Sequence, residues 1–390
     1  MVSVPLIVGW HHTTFGKQPG ETLESLVTAA GRGALADAGV EAADVDLVVL
    51  GTFNSGLQPL GFASSLALEI DDDLFGVPAM RVENACASGS TAVQVGINHL
   101  LSGEAGTVLV IGAEKMTDVP AAVVGRALLG ADYEAAGRES ETGFAGLFAE
   151  VAVEYERRHG PVSDTLGKIA AKSHQLGAQN PFAHLRKDLS VDFCSTVSDK
   201  NPLVAAPLRR TDCSPVSDGA AALVLRTDPA SSGHPPVRID GWASASDFLP
   251  KAKRDPLAFA ATELAWRKAL AAAGCTLADL DFVELHDCFT IAELVMYEVI
   301  GLAPRGAGAR LLEEGAVLPG GTLPVNPSGG LKSKGHPVGA TGVSQHVLAA
   351  MQLTGTFPGA QIPEARTAAV HNMGGMAVAN YVSVLTRSEE

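Results

Sequence analysis

With 390 residues, 46% of them hydrophobic, 18% charged and 42 of them glycine, the chain has the composition of a compact α/β protein. It is long enough for two or three domains, or for one built from two similar halves. The net charge of −15 excludes a nucleic acid held by a general positive field, so an anionic ligand would need a local cationic patch. Five cysteines, at 86, 194, 213, 275 and 288, form no CxxC pair, which argues against a disulfide framework and for a reducing compartment.

In chain order, the opening MVSVPLIVGW has no basic leader and is too short to span a bilayer, so it predicts a buried first strand. No apolar run reaches 18 residues, which predicts a soluble, cytoplasmic protein without a membrane partner. Residues 34–55 (ALADAGVEAADVDLVVLGTFNS) return at 269–290 (ALAAAGCTLADLDFVELHDCFT) with ten of 22 positions identical. The matched positions include Gly39 with Gly274, Asp44 with Asp279 and Asp46 with Asp281. Each copy reads as a helix end, a glycine stop, a polar turn and a strand.

Further helix–strand pairs fall at about 88–101 with 107–116, and at about 338–353 with 367–376. Such alternation predicts mostly parallel sheets covered by helices. A polar stretch broken by Gly and Pro, about 117–205, has no counterpart in the second half and reads as an insertion of helices and loops. Residues 151–210 carry nine Lys and Arg against six Asp and Glu, a local patch ending in Arg209 and Arg210 that suits a phosphate-bearing ligand.

Two stretches carry most of the chemical signal. In RVENACASGSTAVQVGINHLL (81–101), Cys86 stands among small residues at a helix start. There the unpaired N–H groups and the helix dipole contribute up to ~2 kcal/mol, enough to bring a free thiol from ~8.5 to about 7. Fast attack still needs a base. In NPSGGLKSKGHPVGATGVSQHVLAAM (326–351), His336 sits in a glycine-rich turn opening a helix, placed to act as base and, through an N–H, as an oxyanion donor. A phosphate-cradling loop is the rival for that stretch, but the spacing is neither that of a P-loop nor that of GxGxxG. A third stretch, LHDCF, sets His286, Asp287 and Cys288 side by side. The bland reading of Cys194, Cys213 and Cys275 is that of small buried apolar groups.

NACASGSTA together with NPSGGLKSKGHPVGATG resembles the thiolase superfamily, and the similarity runs over almost the whole chain, including IVGWHHTTFGK and CSPVSDGAAALVL. The resemblance implies an αβαβα sandwich of two similar halves, residues 1–228 and 236–390, with a loop domain inserted in the first at about 117–205. Where most thiolases carry an Asn-Glu-x-Phe motif this chain reads HDCF, and near its C-terminus HNMGGM lacks the usual second cysteine. That pairing resembles the sterol-carrier-protein-2 type of thiolase, here expected without a following carrier domain.

The resemblance implies a ping-pong acyl transfer on 3-ketoacyl-CoA. His336 takes the proton of Cys86, whose thiolate attacks the keto carbonyl, and Cys288 exchanges the proton of the departing acetyl-CoA carbanion. His286 and His336 stabilise the enolate. The oxyanion is held by the Cys86 N–H and a backbone N–H near Gly374, although Met373 stands where many thiolases have glycine. Arg209 and Arg210 are expected on the coenzyme's phosphates. Coenzyme A and acyl-CoA enter as substrates, with no tightly bound cofactor and no metal. A set of His286, Cys288 and His336 is the metal alternative. A homodimer or homotetramer is implied. The rivals are an acyl-CoA aldolase working with a small accessory protein, a decarboxylating ketosynthase, whose usual pattern fits HDCF poorly, and a non-catalytic acyl-CoA-binding scaffold.

Overall fold

The computed structural model describes residues 4–230 and 232–388, so the first three residues of the expected opening strand lie outside the described ones. The first half runs β1 (Leu6–His12), α1 (Leu23–Ala38), β2 (Leu47–Gly51), β3 (Ala79–Val82), α2 (Ser88–Ser102) and β4 (Thr107–Glu114). Before the half closes with β7 come α3 (Ala121–Leu129), α4 (Gly143–His159), α5 (Ser163–Gln179), α6 (Val191–Ser195), β5 (Leu203–Ala205) and β6 (Leu208–Arg209). β7 spans Gly219–Arg226, and the expected insertion lies between it and β4. The second half runs β8 (Val237–Ser246), α7 (Ala260–Ala273), β9 (Phe282–Glu284), α8 (Thr290–Val299), α9 (Ala309–Glu313), α10 (Gly330–Lys334), α11 (Thr341–Thr354), β10 (Thr367–Gly374) and β11 (Ala379–Arg387).

The sequence repeat is a structural repeat. α1 and α7 both stop on a left-handed glycine, Gly39 (φ 62°) and Gly274 (φ 67°), a cap that a Cβ would penalise. The matched aspartates then do the same work in each half. Asp46 Oδ2 accepts the N–H groups of Gly106 (2.8 Å) and Thr107 (2.9 Å), tying β2 to the start of β4. Asp281 Oδ2 accepts those of Arg366 (2.7 Å) and Thr367 (2.9 Å), tying β9 to the start of β10.

The strands line up as β3-β2-β4-β7-β1-β8-β11-β10-β9, and the halves join through only two residue pairs, Leu6 with Arg238 and Ile7 with Val237. The expectation of mostly parallel sheets is corrected. β2–β3, β2–β4 and β9–β10 are parallel, whereas β1–β7, β4–β7, β1–β8, β8–β11 and β10–β11 are antiparallel. Helical crossovers produce the parallel pairs, while the tight turn after Gly374 sends β11 straight back beside β10.

α2 and α11 form the middle layer: Val93, Ile97, Val343 and Val347 pack among strand residues of both halves. α1 covers the far face of the first half, through Leu26, Val27 and Ala34, and α7 and α8 cover the second. The result is the αβαβα sandwich. The middle helices approach so closely that a Cβ on Gly342 would lie 2.2 Å from Ser90 N. No helix among the described residues is long and apolar enough to cross a membrane.

Candidate active site

Cys86 sits where β3 hands over to α2. Ala85 is left-handed (φ 50°), and Glu83 accepts its N–H. Ser88 Oγ accepts the Asn84 N–H at 2.9 Å and donates to Ala85 O at 2.6 Å, so the turn is stapled on both sides of the cysteine. Backbone N–H groups of Gly375 and of Cys86 itself point at the sulfur. The thiolate expected near 7 is corrected, because burial outweighs these donors and pushes the thiol up to about 12. Gly375, just beyond the end of β10 and next to the expected Gly374, presents its N–H to the Cys86 sulfur.

HDCF follows β9 and is held by its neighbours. Leu285 N–H donates to Asn326 Oδ1 (2.6 Å), and Asp287 Oδ1 accepts the Leu331 N–H (2.7 Å) at the start of α10. Gly330 is left-handed (φ 60°), and a Cβ there would lie 2.1 Å from Asp287 Oδ2. Ser214 N–H donates to Cys288 O at 3.0 Å. Burial first, then the neighbouring Cys86, pushes the Cys288 thiol well up.

His336 follows α10. Its Nδ1 lies 2.6 Å from Thr341 Oγ1, and burial, with Lys334 adding to it, lowers its pKa to about 3. Burial and then His336 hold His286 well below its usual value, so both imidazoles rest neutral.

These pieces meet. Cys86 Sγ and one ring nitrogen each of His286 and His336 lie within 4.8 Å of one another, and the two rings stand edge to face with centroids 5.1 Å apart. Cys86, Cys288 and His336 line a cavity of about 920 Å³. The metal alternative falls on a different triple from the expected one, with Cys86 in place of Cys288. An ion there would occupy the sulfur that a covalent reaction needs.

Other expectations are corrected. Arg209 is 1% exposed, bonded to Asp212 Oδ2 (2.8 Å) and Ser163 O (2.7 Å), which takes it out of reach of a ligand. Arg210 is exposed, but neither arginine lines the cavity. The cationic patch is largely spent on internal pairs, since Arg157, Arg158, Lys168 and Lys172 also face carboxylates. Cys194 is buried, but Cys213 and Cys275 are only half-buried, and Cys213 lines the cavity. His371 points to the other face of β10, toward Asn380 and Trp266, yet lies near enough to His286 to help lower its pKa.

Three further residues shape the site without a motif of their own in the sequence. Asn372, beside His371 and therefore on the opposite face of β10, bonds Cys86 O at 3.0 Å and His286 Nδ1 at 2.9 Å. Strand alternation was the available signal. Glu114, at the end of β4, accepts the N–H groups of Phe53 (2.8 Å), Asn54 (3.0 Å) and Gly339 (2.9 Å), so one carboxylate ties the loop after β2 to the segment after His336. Thr341, which braces His336, lay inside the quoted motif without a role.

Comparison with known proteins fits this geometry. The sequence profile described as the thiolase N-terminal domain matches residues 6–228, and a thiolase C-terminal domain-like profile matches residues 243–387. The chain belongs to the thiolase family. Within it, an acetyl-CoA acetyltransferase of Methanothermobacter thermautotrophicus is 35% identical over 98% of this chain and 99% of its own. Bovine sterol carrier protein 2 is 32% identical over 94% of this chain and 69% of its own length, in keeping with a thiolase of the sterol-carrier-protein-2 type. Among solved structures, an Ltp2-ChsH2(DUF35) aldolase superposes on this thiolase with a TM-score of 0.81 at 22% identity, covering 100% of this chain and 99% of that one. A monomeric SCP2-thiolase-like protein of Mycobacterium smegmatis gives 0.71 at 20% identity, covering 100% and 79%. At such identities these two likenesses speak to the fold.

Proposed function

We propose that this thiolase is a coenzyme-A-dependent acyltransferase that cleaves or forms 3-ketoacyl-CoA through an acyl group on Cys86. The observation that carries the reading is the meeting of Cys86 Sγ with the His286 and His336 ring nitrogens within 4.8 Å, at a cavity that Cys288 also lines. In the cleavage direction His336 takes the Cys86 proton as the sulfur attacks the keto carbon. Thiol and imidazole both rest neutral, so the proton moves as the C–S bond forms. The N–H groups of Cys86 and Gly375 are the donors available to the oxyanion.

Breaking the C2–C3 bond leaves an acetyl-CoA enolate, which His286 and His336 flank and Cys288 protonates at C2. The Cys288 thiolate then takes the proton of an incoming coenzyme A thiol. That sulfur displaces Cys86, which recovers its proton from His336.

Intact-mass spectrometry after treatment with a 3-ketoacyl-CoA should show one acyl group on the protein and none on Cys86→Ala. An adduct that persists in the alanine variant would falsify the assignment.

One observation favours the partner-dependent aldolase as a second reading. The cavity lining includes Arg126 but also Glu139 and Glu141, a poor welcome for the coenzyme's phosphates. An accessory protein carrying cations would answer this, as the DUF35 partner named for the aldolase neighbour suggests. Turnover that needs an added partner, with no acyl adduct on Cys86, would favour that reading. Paired copies also belong to the proposal, supported by the open sheet edge at β3 and by Phe62 and Phe75, 68% and 92% exposed, in the segment leading to it.

A further inference from the structure

We infer that Asn372 is a positioning residue that locks His286 in the tautomer with its proton on Nε2, so that His286 serves as a hydrogen-bond donor and never as the base. The assignment turns on one atom. Asn372 Nδ2 lies 3.0 Å from the backbone oxygen of Cys86 and 2.9 Å from His286 Nδ1. A carbonyl oxygen only accepts, so the atom facing it is the amide nitrogen, with two protons to give. One goes to Cys86 O. The other goes to His286 Nδ1, which must then carry the lone pair, leaving the ring proton on Nε2. Flipping the amide would set two oxygens 3.0 Å apart and forfeit the first bond.

His336 is braced the opposite way. Thr341 Oγ1 has a single proton, which it donates to Pro337 O at 3.0 Å, so the 2.6 Å contact with His336 Nδ1 is made by the ring N–H. That leaves His336 Nε2 bare. Two neighbouring, neutral, buried imidazoles are thus assigned opposite duties by their outer partners, one to give a hydrogen bond and one to take a proton. Asn372 also ties that assignment to the nucleophile, because it bonds the Cys86 backbone with its other proton. The tautomer follows from hydrogen bonding alone, while its catalytic consequence rests on the acyl transfer proposed above.

The test begins with the unaltered protein. Nitrogen-15 NMR of histidine-labelled protein, with His286→Gln to assign the signals, should show His286 protonated at Nε2 and bare at Nδ1. A proton on Nδ1 overturns the inference, and this readout stands whether or not Cys86 is acylated.

Two variants then read the consequence. In Asn372→Asp the carboxylate accepts from His286 Nδ1–H. The imidazolium at low pH keeps its Nε2–H, whereas the neutral ring at high pH loses it. The carbon–carbon step should therefore fall roughly 10²- to 10³-fold as pH rises, with KM little changed. Asn372→Ala, which loses the same bond to Cys86 O, should lower kcat without this new limb. Matching pH profiles for the two variants would also overturn the inference.

Discussion

Cys288 differs from Cys86 in what surrounds it, and that difference assigns the roles. Each sulfur has two backbone N–H groups on it, but Cys86 lies within 4.8 Å of a ring nitrogen of both His286 and His336, whereas Cys288 is held protonated chiefly by burial. A thiol so held suits proton exchange. Cys288→Ala should therefore still be acylated by an activated acyl-CoA, yet lose ~10²- to 10⁴-fold in the carbon–carbon step. Mass spectrometry and turnover on one preparation check both halves, and full thiolysis by the variant would remove Cys288 from the mechanism. Cys86, Cys288 and His336 were legible in the sequence because small residues, glycines and HDCF mark their places. Asn372 was not, since an amide announces no chemistry until its neighbours across the middle layer are known.

At the scale of elements, the insertion shows how charge in sequence misleads. Arg209 and Arg210 are adjacent, yet β6 turns one into the core beside Asp212 and leaves the other exposed. Asp212 in turn accepts the Thr290 hydroxyl at 2.9 Å, at the start of α8, so the pair joins the insertion to the second half. Removing one partner strands a buried charge, which typically costs about 3–5 kcal/mol. Arg209→Ala should accordingly lower the urea midpoint sharply, whereas a change in coenzyme affinity with stability intact would restore the ligand role. The repeat gives the contrary lesson. Gly39 with Gly274 and Asp46 with Asp281 were matched by sequence alone, because a helix stop and a turn carboxylate answer local needs that each half meets in the same way.

Across the whole molecule, burial leaves its mark on acid stability. Eight of the eleven histidines are held below their ordinary value, chiefly by burial, including His12, His174 and His336 near about 3. Each takes up a proton less readily when folded than when unfolded, so its contribution is present above about 6.5 and is lost as pH falls toward the folded value. His234 and the buried carboxyls of Glu114, Glu284 and Asp287 run the other way, four groups against eight. The net effect is destabilisation at about 1.4 kcal/mol per pH unit for each surplus proton. Urea midpoints should fall between pH 7 and pH 5, and a flat profile would mean that the histidines are not buried neutral.

The sequence by itself determined the two-half α/β architecture and the family, and it singled out Cys86, His286, Cys288 and His336 as candidates, because periodicity, glycine stops and motif spacing are local properties of the chain. Tertiary structure alone decided the mixed strand directions, the burial that keeps Cys86 a thiol, the withdrawal of Arg209 into the core and the meeting of Asn372 with His286. Each of these depends on which distant segment closes over a residue. Dielectric, partner and strand direction follow from that closure rather than from any neighbouring letters.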